Sequence, residues 1–284
     1  FYANVLREKG IDPKKIRSVD DLVQLPVTSK EDMTSSEVPS KYRQFIVQPD
    51  ETLIKKHHPK HKLAWGLRKG KTNLKKEIEW EFAPFTGFAT TGRSAEKIPF
   101  LYTKYDWEVL KESGRRAVDI FNVQDDAKVS NAFPYAPHLA FWQANVALFE
   151  SGIFSIPTGG GKAIGTKSIL DGLERMQATG FIAMPGYAYH AIREAVKEKR
   201  DLHALQEIIF GGERIPDGLR TKLKELLKEV GSNNPRILGT YGATEFKMAF
   251  PECEENSGYH LYPDFGFFEI LDKEGNRVKE GERG

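Results

Sequence analysis

Cysteine is almost absent from this sequence, because Cys253 is the single example among 284 residues. One cysteine cannot form a disulfide within the chain, and such a chain suits a reducing compartment. Long apolar runs are absent as well, since none approaches the about 20 residues that a helix needs to cross a bilayer. From these two absences we predict a cytoplasmic protein with no membrane partner.

An excess of charge of one sign is also missing. The 42 lysines and arginines nearly balance the 40 aspartates and glutamates, which leaves a formal net charge of +2. Charge alone therefore gives no reason to expect a nucleic-acid partner. Charged residues make up 29% of the chain and hydrophobic residues 39%, which is the ordinary composition of a globular protein. A chain of this length can bury a core as one large domain or two smaller ones.

The chain has neither an initial methionine nor a repeat with a period of roughly 20 to 50 residues. It begins at Phe1 and stops at Gly284 inside a polar stretch, GNRVKEGERG, that is typical of a turn. We therefore expect that both ends are cuts in a longer protein.

Residues 1–80 predict a helical and irregular N-terminal flank. Within it, residues 51–79 are basic and poor in apolar periodicity, so we predict an exposed excursion there. Three histidines in this stretch suit either a metal site or a solvated basic loop, and they are His57, His58 and His61. No acidic or cysteine partner stands beside them, which favours the solvated loop.

From Lys128 onward, short apolar runs alternate with amphipathic helical stretches. The runs that predict strands are 129–133, 154–157, 181–185, 207–211 and 236–241. The stretches that predict helices are 138–150, 167–178, 187–199 and 216–230. This alternation predicts an α/β fold in which a mostly parallel sheet is flanked by helices, with residues 81–250 as its core domain.

Residues 251–284 follow a different pattern. Residues 267–271 predict a strand, and DKEG at 272–275 predicts a turn. We expect the start of a β-rich subdomain that is incomplete in this chain.

Ligands of parallel sheets bind at the carboxyl ends of the strands, so the motifs in the loops after the predicted strands matter most. The segment 86–97, TGFATTGRSAEK, precedes the sheet and offers glycine backbone, hydroxyls, Arg93 and Lys97 to an anion. A polar hairpin loop without a ligand is the alternative. TGGGK at 158–162 lacks the G-x-x-x-x-G-K-[ST] spacing of a P-loop, so we interpret it as a glycine turn.

Two further motifs end predicted strands. GGERIP at 211–216 allows close approach of a flat ligand to the backbone, or forms a tight turn into the next helix. YGATE at 241–245 combines an aromatic face, a hydroxyl and a carboxylate, which are ligand types that a Mg²⁺–triphosphate needs. A solvated glutamate is the alternative for the last residue of that motif.

Aromatic residues follow the first predicted strand in FPYAPHLAFW at 133–142. Tyr135 and His138 suit the lining of an apolar pocket, whereas Phe141 and Trp142 suit the core. Elsewhere, Cys253 and His260 could form half of a zinc site, and this alternative stays open.

In this order, these motifs resemble the adenylate-forming superfamily, in particular the phenylacetate-CoA ligases. The opening segment FYANVLREKGIDPKKIRSVDDLVQLPVTSKEDM is similar to that family's N-terminal segment, and PECEENSGYHLYPDFGFFEILD is similar to the stretch after its Tyr-Gly-x-x-Glu motif. YGATE matches that motif, and GGER at 211–214 stands where the family has Gly-Ala-Glu-Pro. Thr90-Thr91-Gly92 stands at the family's phosphate loop. The likeness covers nearly the whole chain.

The resemblance implies an AMP-forming acid–thiol ligase, which adenylates a carboxylic acid with ATP and then forms a thioester with coenzyme A. It implies Mg²⁺ as a cofactor, an aromatic acid as the favoured substrate, and residues 81–250 as a nucleotide-binding core. It assigns the phosphates to Thr90, Thr91, Gly92 and Arg93, with Thr90 and Arg93 catalytic. It assigns adenosine and nearby groups to Gly211, Gly212, Glu213, Arg214, Tyr241, Gly242 and Thr244. It assigns the acyl group to Tyr135, Ala136 and His138, and catalysis with Mg²⁺ to Glu245.

The sequence departs from the family pattern in two respects. Gly87-Phe88-Ala89 stands where the phosphate loop usually has Ser-Ser-Gly or Ser-Gly. The family's ribose-binding Arg-x-x-Gly-Asp segment and its lid lysine would lie beyond Gly284, so we expect this portion alone to be inactive. Two alternatives stay open: an adenylyltransferase or acyl-protein synthetase on the same fold, and a non-catalytic nucleotide-binding relative. A homodimer is also left open.

Overall fold

The computed structural model describes residues 2–35, 37–38, 40–47, 49–90, 97–254 and 258–282. Within these ranges the helices are α1 Tyr2–Glu8, α2 Lys30–Met33, α3 Glu51–His57, α4 Lys60–Arg68, α5 Lys71–Phe82, α6 Lys104–Phe121, α7 Leu139–Glu150, α8 Gly161–Ile164, α9 Thr166–Arg175, α10 Pro185–Lys197 and α11 Asp217–Glu229. The strands are β1 Thr86–Ala89, β2 Pro99–Tyr102, β3 Lys128–Asn131, β4 Phe154–Pro157, β5 Gly180–Ala183, β6 Glu207–Phe210, β7 Arg236–Ala243 and β8 Met248–Pro251. Short 3₁₀ helices are Pro13–Lys15, Asp20–Gln24 and Lys41–Phe45.

The contacts divide the chain into two compact units. The smaller unit combines residues 1–62 with 262–284, and the larger unit is 63–261. Within the smaller unit, Nη1 of Arg277 lies 3.1 Å from Oδ1 of Asp20, which joins its two distant chain segments. The larger unit contains the main sheet and the cleft described below.

The main sheet has the strand order β4-β3-β5-β6-β7-β8. Strands β3 to β7 pair in parallel, and β8 adds an antiparallel edge strand beside β7. A separate antiparallel hairpin is formed by β1 and β2. The predicted parallel α/β arrangement is confirmed, and the predicted strand 154–157 coincides with β4.

Both faces of the central strands are buried. In β5, Phe181 packs with residues of α9, α10 and α11, whereas its neighbour Ile182 packs with residues of α6 and α7. In β6, Ile208 and Ile209 divide between the two faces in the same way. Side chains alternate along a strand, so a strand covered on both faces reads as a continuous apolar run in the sequence.

Helix α6 was not among the predicted helices. It begins at a capping box, in which Oδ2 of Asp106 accepts a hydrogen bond from the backbone N–H of Thr103 at 2.8 Å. It ends at Asn122, whose φ of 52° is in the left-handed region. Gly114 allows close packing on α7, because a Cβ at this position would lie 2.9 Å from Cα of Ala147. Helices α6 and α7 therefore form one layer over one face of the sheet.

Replacing Thr103 with alanine is expected to lower the free energy of unfolding by about 1 kcal/mol, because the start of α6 loses its N-cap hydroxyl. Urea denaturation of the two proteins measures the change. Thr221→Ala, at an exposed position within α11, is the matched control and should change the stability by less than about 0.5 kcal/mol. Equal effects of the two substitutions would contradict the capping role.

The stretch 51–79, predicted as an exposed excursion, is helical, because it forms α3, α4 and most of α5. The residues are largely exposed, as predicted. Lysine, glutamate and leucine have a high helix propensity, which favours these helices although the sequence has no apolar stripe. The side chain of Asp50 also caps α3, because it accepts a hydrogen bond from the N–H of Leu53 at 2.8 Å. No helix within the described ranges has both the length and the apolar character of a membrane-spanning segment.

The predicted strand at 267–271 is also wrong. In the described part of this segment, only an isolated bridge between Leu271 and Arg277 is present. The predicted turn at 272–275 is confirmed, since the N–H of Gly275 donates to the carbonyl oxygen of Asp272 at 3.1 Å. A lone bridge is not a strand, because a strand needs a ladder of pairs with a neighbour.

Candidate functional site

A cleft with a volume of about 180 Å³ opens beside the carboxyl ends of the central strands, between the sheet and helices α6 and α7. Its walls are mostly apolar, and their side chains include Ala117, Val118, Phe121, Ala144, Leu148, Ile182 and Ile209. Polar groups at the cleft come from His138, Gln143, Thr240 and Thr244. The position agrees with the rule that parallel sheets bind ligands at their carboxyl ends.

Bare backbone from two strand ends borders this cleft. Gly211 follows β6 directly, and a Cβ there would lie 3.0 Å from Cζ of Phe133 and 3.2 Å from Cγ2 of Thr240. Gly212 has a φ of 83°, which side chains rarely allow. Gly242 of β7 also lines the cleft. The three glycines therefore add no side chain of their own to this side of the cleft, which Phe133 and Thr240 also line.

The YGATE motif spans the end of β7 and the turn that leads to β8. Tyr241 is 55% exposed, and its ring stacks on that of Phe250 with a centroid distance of 6.3 Å. Thr244 lines the cleft, whereas Glu245 is exposed in the turn at 244–247. The hairpin thus presents an aromatic face, a hydroxyl and a carboxylate on one short segment.

Thr90 lies at the base of the β1–β2 hairpin and is only 6% exposed. Its N–H donates to the carbonyl oxygen of Ile98 at 3.1 Å, and its Oγ1 accepts from the N–H of Ile98 at 3.3 Å. These bonds close the start of the loop. The other predicted phosphate-binding residues lie outside the described residues, and they are Thr91, Gly92 and Arg93.

His138 is the N-cap residue of α7 and lines the cleft. Its Nδ1 lies 3.3 Å from the carbonyl oxygen of Ala89, so Nδ1 acts as the donor in this contact. The N–H of Ala89 donates in turn to the carbonyl oxygen of Pro137 at 2.7 Å. These bonds connect the end of β1 to the start of α7.

Tyr135 and Ala136 line a different cavity, with a volume of about 370 Å³. Aromatic rings of Phe85, Trp107 and Trp142 also line it. The three residues predicted to flank an acyl group are therefore divided between two cavities. Glu213 and Arg214, which follow Gly212, are exposed and do not line the first cleft.

The described part of the chain contains no group of three or more histidine, cysteine, aspartate or glutamate side chains that could hold a metal ion. Cys253 and His260 are thus not part of such a group there. Glu245 can supply one hard oxygen ligand, and Mg²⁺ commonly takes its remaining ligands from water and substrate phosphates. The turn with Glu245 therefore suits Mg²⁺ that enters with a nucleotide.

Sequence reasoning missed two charged residues beside the site, Asp106 and Lys247. Nζ of Lys247 lies 2.9 Å from Oδ1 of Asp106, although the two residues are 141 positions apart in the sequence. The capping-box pattern at Thr103 and Asp106 was a signal for α6, but it gave no signal for this partner.

Known proteins resemble the chain in both sequence and fold. The family model described as "AMP-binding enzyme" matches residues 109–284. Phenylacetate-coenzyme A ligase from Thermus thermophilus is 22% identical over 290 residues, an alignment that covers 100% of this chain and 55% of the relative.

Among solved structures, 2-hydroxyisobutyryl-CoA ligase in complex with 2-HIB-AMP and CoA has a similar fold. Its thioesterification state gives a TM-score of 0.74 at 20% identity and covers 100% of this chain and 54% of that chain. Its open conformation gives a TM-score of 0.71 at 20% identity, with 100% and 59% covered.

The chain spans about half the length of these relatives, with 55% of the phenylacetate-coenzyme A ligase covered. The match to the family model is nevertheless extensive, because residues 109–284 are more than half of the chain. The same residues include β3 to β8 and most of α6, from which the cleft is built. The chain belongs to the AMP-binding enzyme family.

Proposed function

We propose that the protein containing this chain activates a carboxylic acid with ATP and then joins it to coenzyme A. The observation that carries this proposal is the cleft at the strand ends, where glycine backbone meets the YGATE hairpin in a chain of this family. Bare backbone suits a flat base, and the hairpin suits a metal-bound phosphate.

The reaction has two balanced steps. The substrate carboxylate attacks the α-phosphorus of ATP, and pyrophosphate leaves with the electrons of the broken P–O bond. The sulfur of coenzyme A then attacks the acyl carbonyl of the adenylate, AMP leaves, and the thiol proton is released. Because these steps need alignment and neutralisation of phosphate charge, the protein contributes mainly positioning and electrostatics.

We assign roles to the residues along the cleft. Gly211, Gly212 and Tyr241 form the adenine surface, with Glu213, Arg214, Gly242 and Thr244 around the rest of the adenosine. Thr90, Thr91, Gly92 and Arg93 bind phosphate oxygens. Glu245 binds Mg²⁺, which offsets the phosphate charge when it is bound.

The acid itself is an apolar one, and an aromatic acid is favoured. The cleft between α6, α7 and the sheet has a volume of about 180 Å³ and mostly apolar walls. An apolar cavity of roughly 150 Å³ is sufficient for benzene, so this volume admits one aromatic ring from the acid, and the adenine base lies outside it, at the border formed by Gly211, Gly212 and Tyr241. His138 at the cleft offers a polar group for the carboxylate end, and Tyr135 and Ala136 lie nearer the second cavity.

The test of the function is carboxylate-dependent exchange of pyrophosphate into ATP, measured with the protein that contains this chain and a panel of aryl and alkyl acids. Exchange is expected with at least one aryl acid, together with release of AMP that depends on coenzyme A. Exchange without such release would favour the adenylyltransferase or acyl-protein synthetase alternative. Nucleotide binding without exchange would favour the non-catalytic relative and overturn the proposal.

Substituting Ala144 with leucine is expected to change acid selectivity. The larger side chain would occupy the cleft between α7 and the sheet, so kcat/KM for aryl acids should fall by roughly 10-fold or more. Acetate-sized acids should be affected little, and the KM for ATP should stay constant. Equal losses for large and small acids would show that this cleft does not hold the acyl group.

A further inference from the structure

Two hairpins carry the residues proposed for phosphate and metal binding. Thr90 directly follows β1 in the β1–β2 hairpin, and the β7–β8 hairpin contains Thr244 and Glu245 in its turn. Catalysis by alignment requires a fixed distance between such groups, and a displacement of about 1 Å can cost roughly 100-fold in rate. A contact that joins the two hairpins is therefore expected to affect the reaction rate.

Lys247 makes that connection from the last position of the β7–β8 turn. Its Nζ donates to the carbonyl oxygen of Leu101 in β2 at 2.8 Å. The same Nζ lies 2.9 Å from Oδ1 of Asp106 in the first turn of α6. It also lies 4.7 Å from the ring centroid of Tyr102, within the range of a cation–π contact. One ammonium group thus contacts three neighbours on the β2–α6 segment.

These contacts are sheltered from water. The side chains of Lys247 and Asp106 are 28% and 25% exposed, and Tyr102 is fully buried. Burial alone would raise the pKa of Asp106, but hydrogen bonds from Thr103 and Lys247 outweigh it and hold that pKa below its ordinary value. Asp106 therefore stays ionised, and a shielded pair of this kind is stronger than an exposed surface pair.

Both carboxylate oxygens of Asp106 are used. Oδ2 accepts from the N–H and Oγ1 of Thr103 at 2.8 and 2.9 Å, while Oδ1 faces Nζ of Lys247. The capping box therefore holds the carboxylate in the orientation that Lys247 needs.

Lys247 has a backbone conformation that lysine rarely adopts. Its φ is 62°, in the left-handed region that favours glycine and asparagine. The turn is closed by the N–H groups of Phe246 and Lys247, which each donate to the carbonyl oxygen of Ala243 at 3.1 Å. Glycine would suit this turn better on backbone grounds alone, so the ammonium group accounts for a lysine here.

We infer that Lys247 is a positioning residue that fixes the turn bearing Thr244 and Glu245 against the β1–β2 hairpin. It sets the distance between Glu245 and Thr90 without contacting substrate. This inference rests on the proposed function for its kinetic consequence, whereas its structural consequence is independent of that function.

The kinetic test compares Lys247→Met, Lys247→Gly and Lys247→Arg in the protein that contains this chain, by pyrophosphate exchange with the best acid of the panel. Lys247→Met should lower kcat by roughly 10-fold or more and raise the Mg²⁺ concentration needed, with the KM for the acid unchanged. Lys247→Gly should lose as much, although it relaxes the backbone. Lys247→Arg should recover most of the rate.

Lys222→Met, at an exposed position of α11, is the control for the loss of a lysine ammonium group. It should leave kcat and the Mg²⁺ dependence unchanged. Normal kcat and Mg²⁺ dependence in Lys247→Met would overturn the inference. So would a kinetic loss in Lys222→Met equal to that in Lys247→Met.

A second measurement separates this inference from the proposed function. Hydrogen–deuterium exchange of the amides at 243–248 should become faster in Lys247→Met, while the amides of β5 and β6 stay protected. If the wild-type protein shows no pyrophosphate exchange with any acid, the proposed function fails, and amide exchange alone decides the inference. Unchanged amide exchange in the turn would overturn it.

Discussion

Replacing Glu245 with glutamine is expected to lower the rate of adenylate formation by roughly 100-fold, which is the usual order for loss of one preorganised electrostatic group of a catalytic site. The carboxylate is exposed in the turn at 244–247, where it can reach a metal ion without burial cost. An amide keeps the shape but loses the negative charge, and Mg²⁺ prefers charged oxygen ligands.

The measurement is carboxylate-dependent pyrophosphate exchange at limiting and at saturating Mg²⁺. The defect of Glu245→Gln should be larger at limiting Mg²⁺. Stability should change by less than about 0.5 kcal/mol, because the position is exposed. Glu229→Gln, at the exposed end of α11, is the matched control and should keep the full rate. Unchanged exchange at limiting Mg²⁺ would remove Glu245 from the metal site.

Replacing Arg220 with methionine is expected to lower the free energy of unfolding by about 3 to 5 kcal/mol, because it leaves a buried carboxylate without its cation. Glu252 is only 6% exposed, and its Oε2 lies 2.8 Å from Nη2 of Arg220. The same oxygen accepts from the N–H of Gly239 at 2.7 Å. This pair fastens α11 to the end of the sheet.

Urea denaturation measures the loss, and the double variant Arg220→Met with Glu252→Gln is the informative comparison. Removing both charges should recover a large part of the stability, because a neutral amide costs less to bury than an unpaired carboxylate. The exposed Lys222, which lies two positions after Arg220 in α11 and pairs with Glu225, supplies the control Lys222→Met. A loss below about 1 kcal/mol for Arg220→Met would mean that water or another group replaces the arginine.

The central sheet could be predicted from the sequence because its signals are local. Strands buried on both faces are continuous apolar runs, and the helices between them carry an apolar stripe, as Leu223, Leu226 and Leu227 do in α11. Glycines at strand ends also pointed to the cleft, since Gly211 and Gly242 do line it. These features depend on neighbours within a few residues.

Secondary structure was harder to predict where the residue composition and the apolar period of a segment indicate different structures. Residues 51–79 have the composition of helices but no apolar stripe, so their helices could not be recognised from periodicity. The stretch 267–271 has the apolar and aromatic composition of a strand, but only one bridge pairs it within the described residues. Pairing depends on a partner that the segment itself does not specify.

The sequence by itself determined the family motifs, the parallel α/β arrangement and the loops in which the site lies. The tertiary structure alone decided how those loops meet: His138 turns to the cleft while Tyr135 and Ala136 turn to another cavity, and Lys247 reaches Asp106 across 141 positions. The physical reason is range. Apolar periods and turn residues act between near neighbours, whereas cavities and buried ion pairs arise only when distant segments pack together.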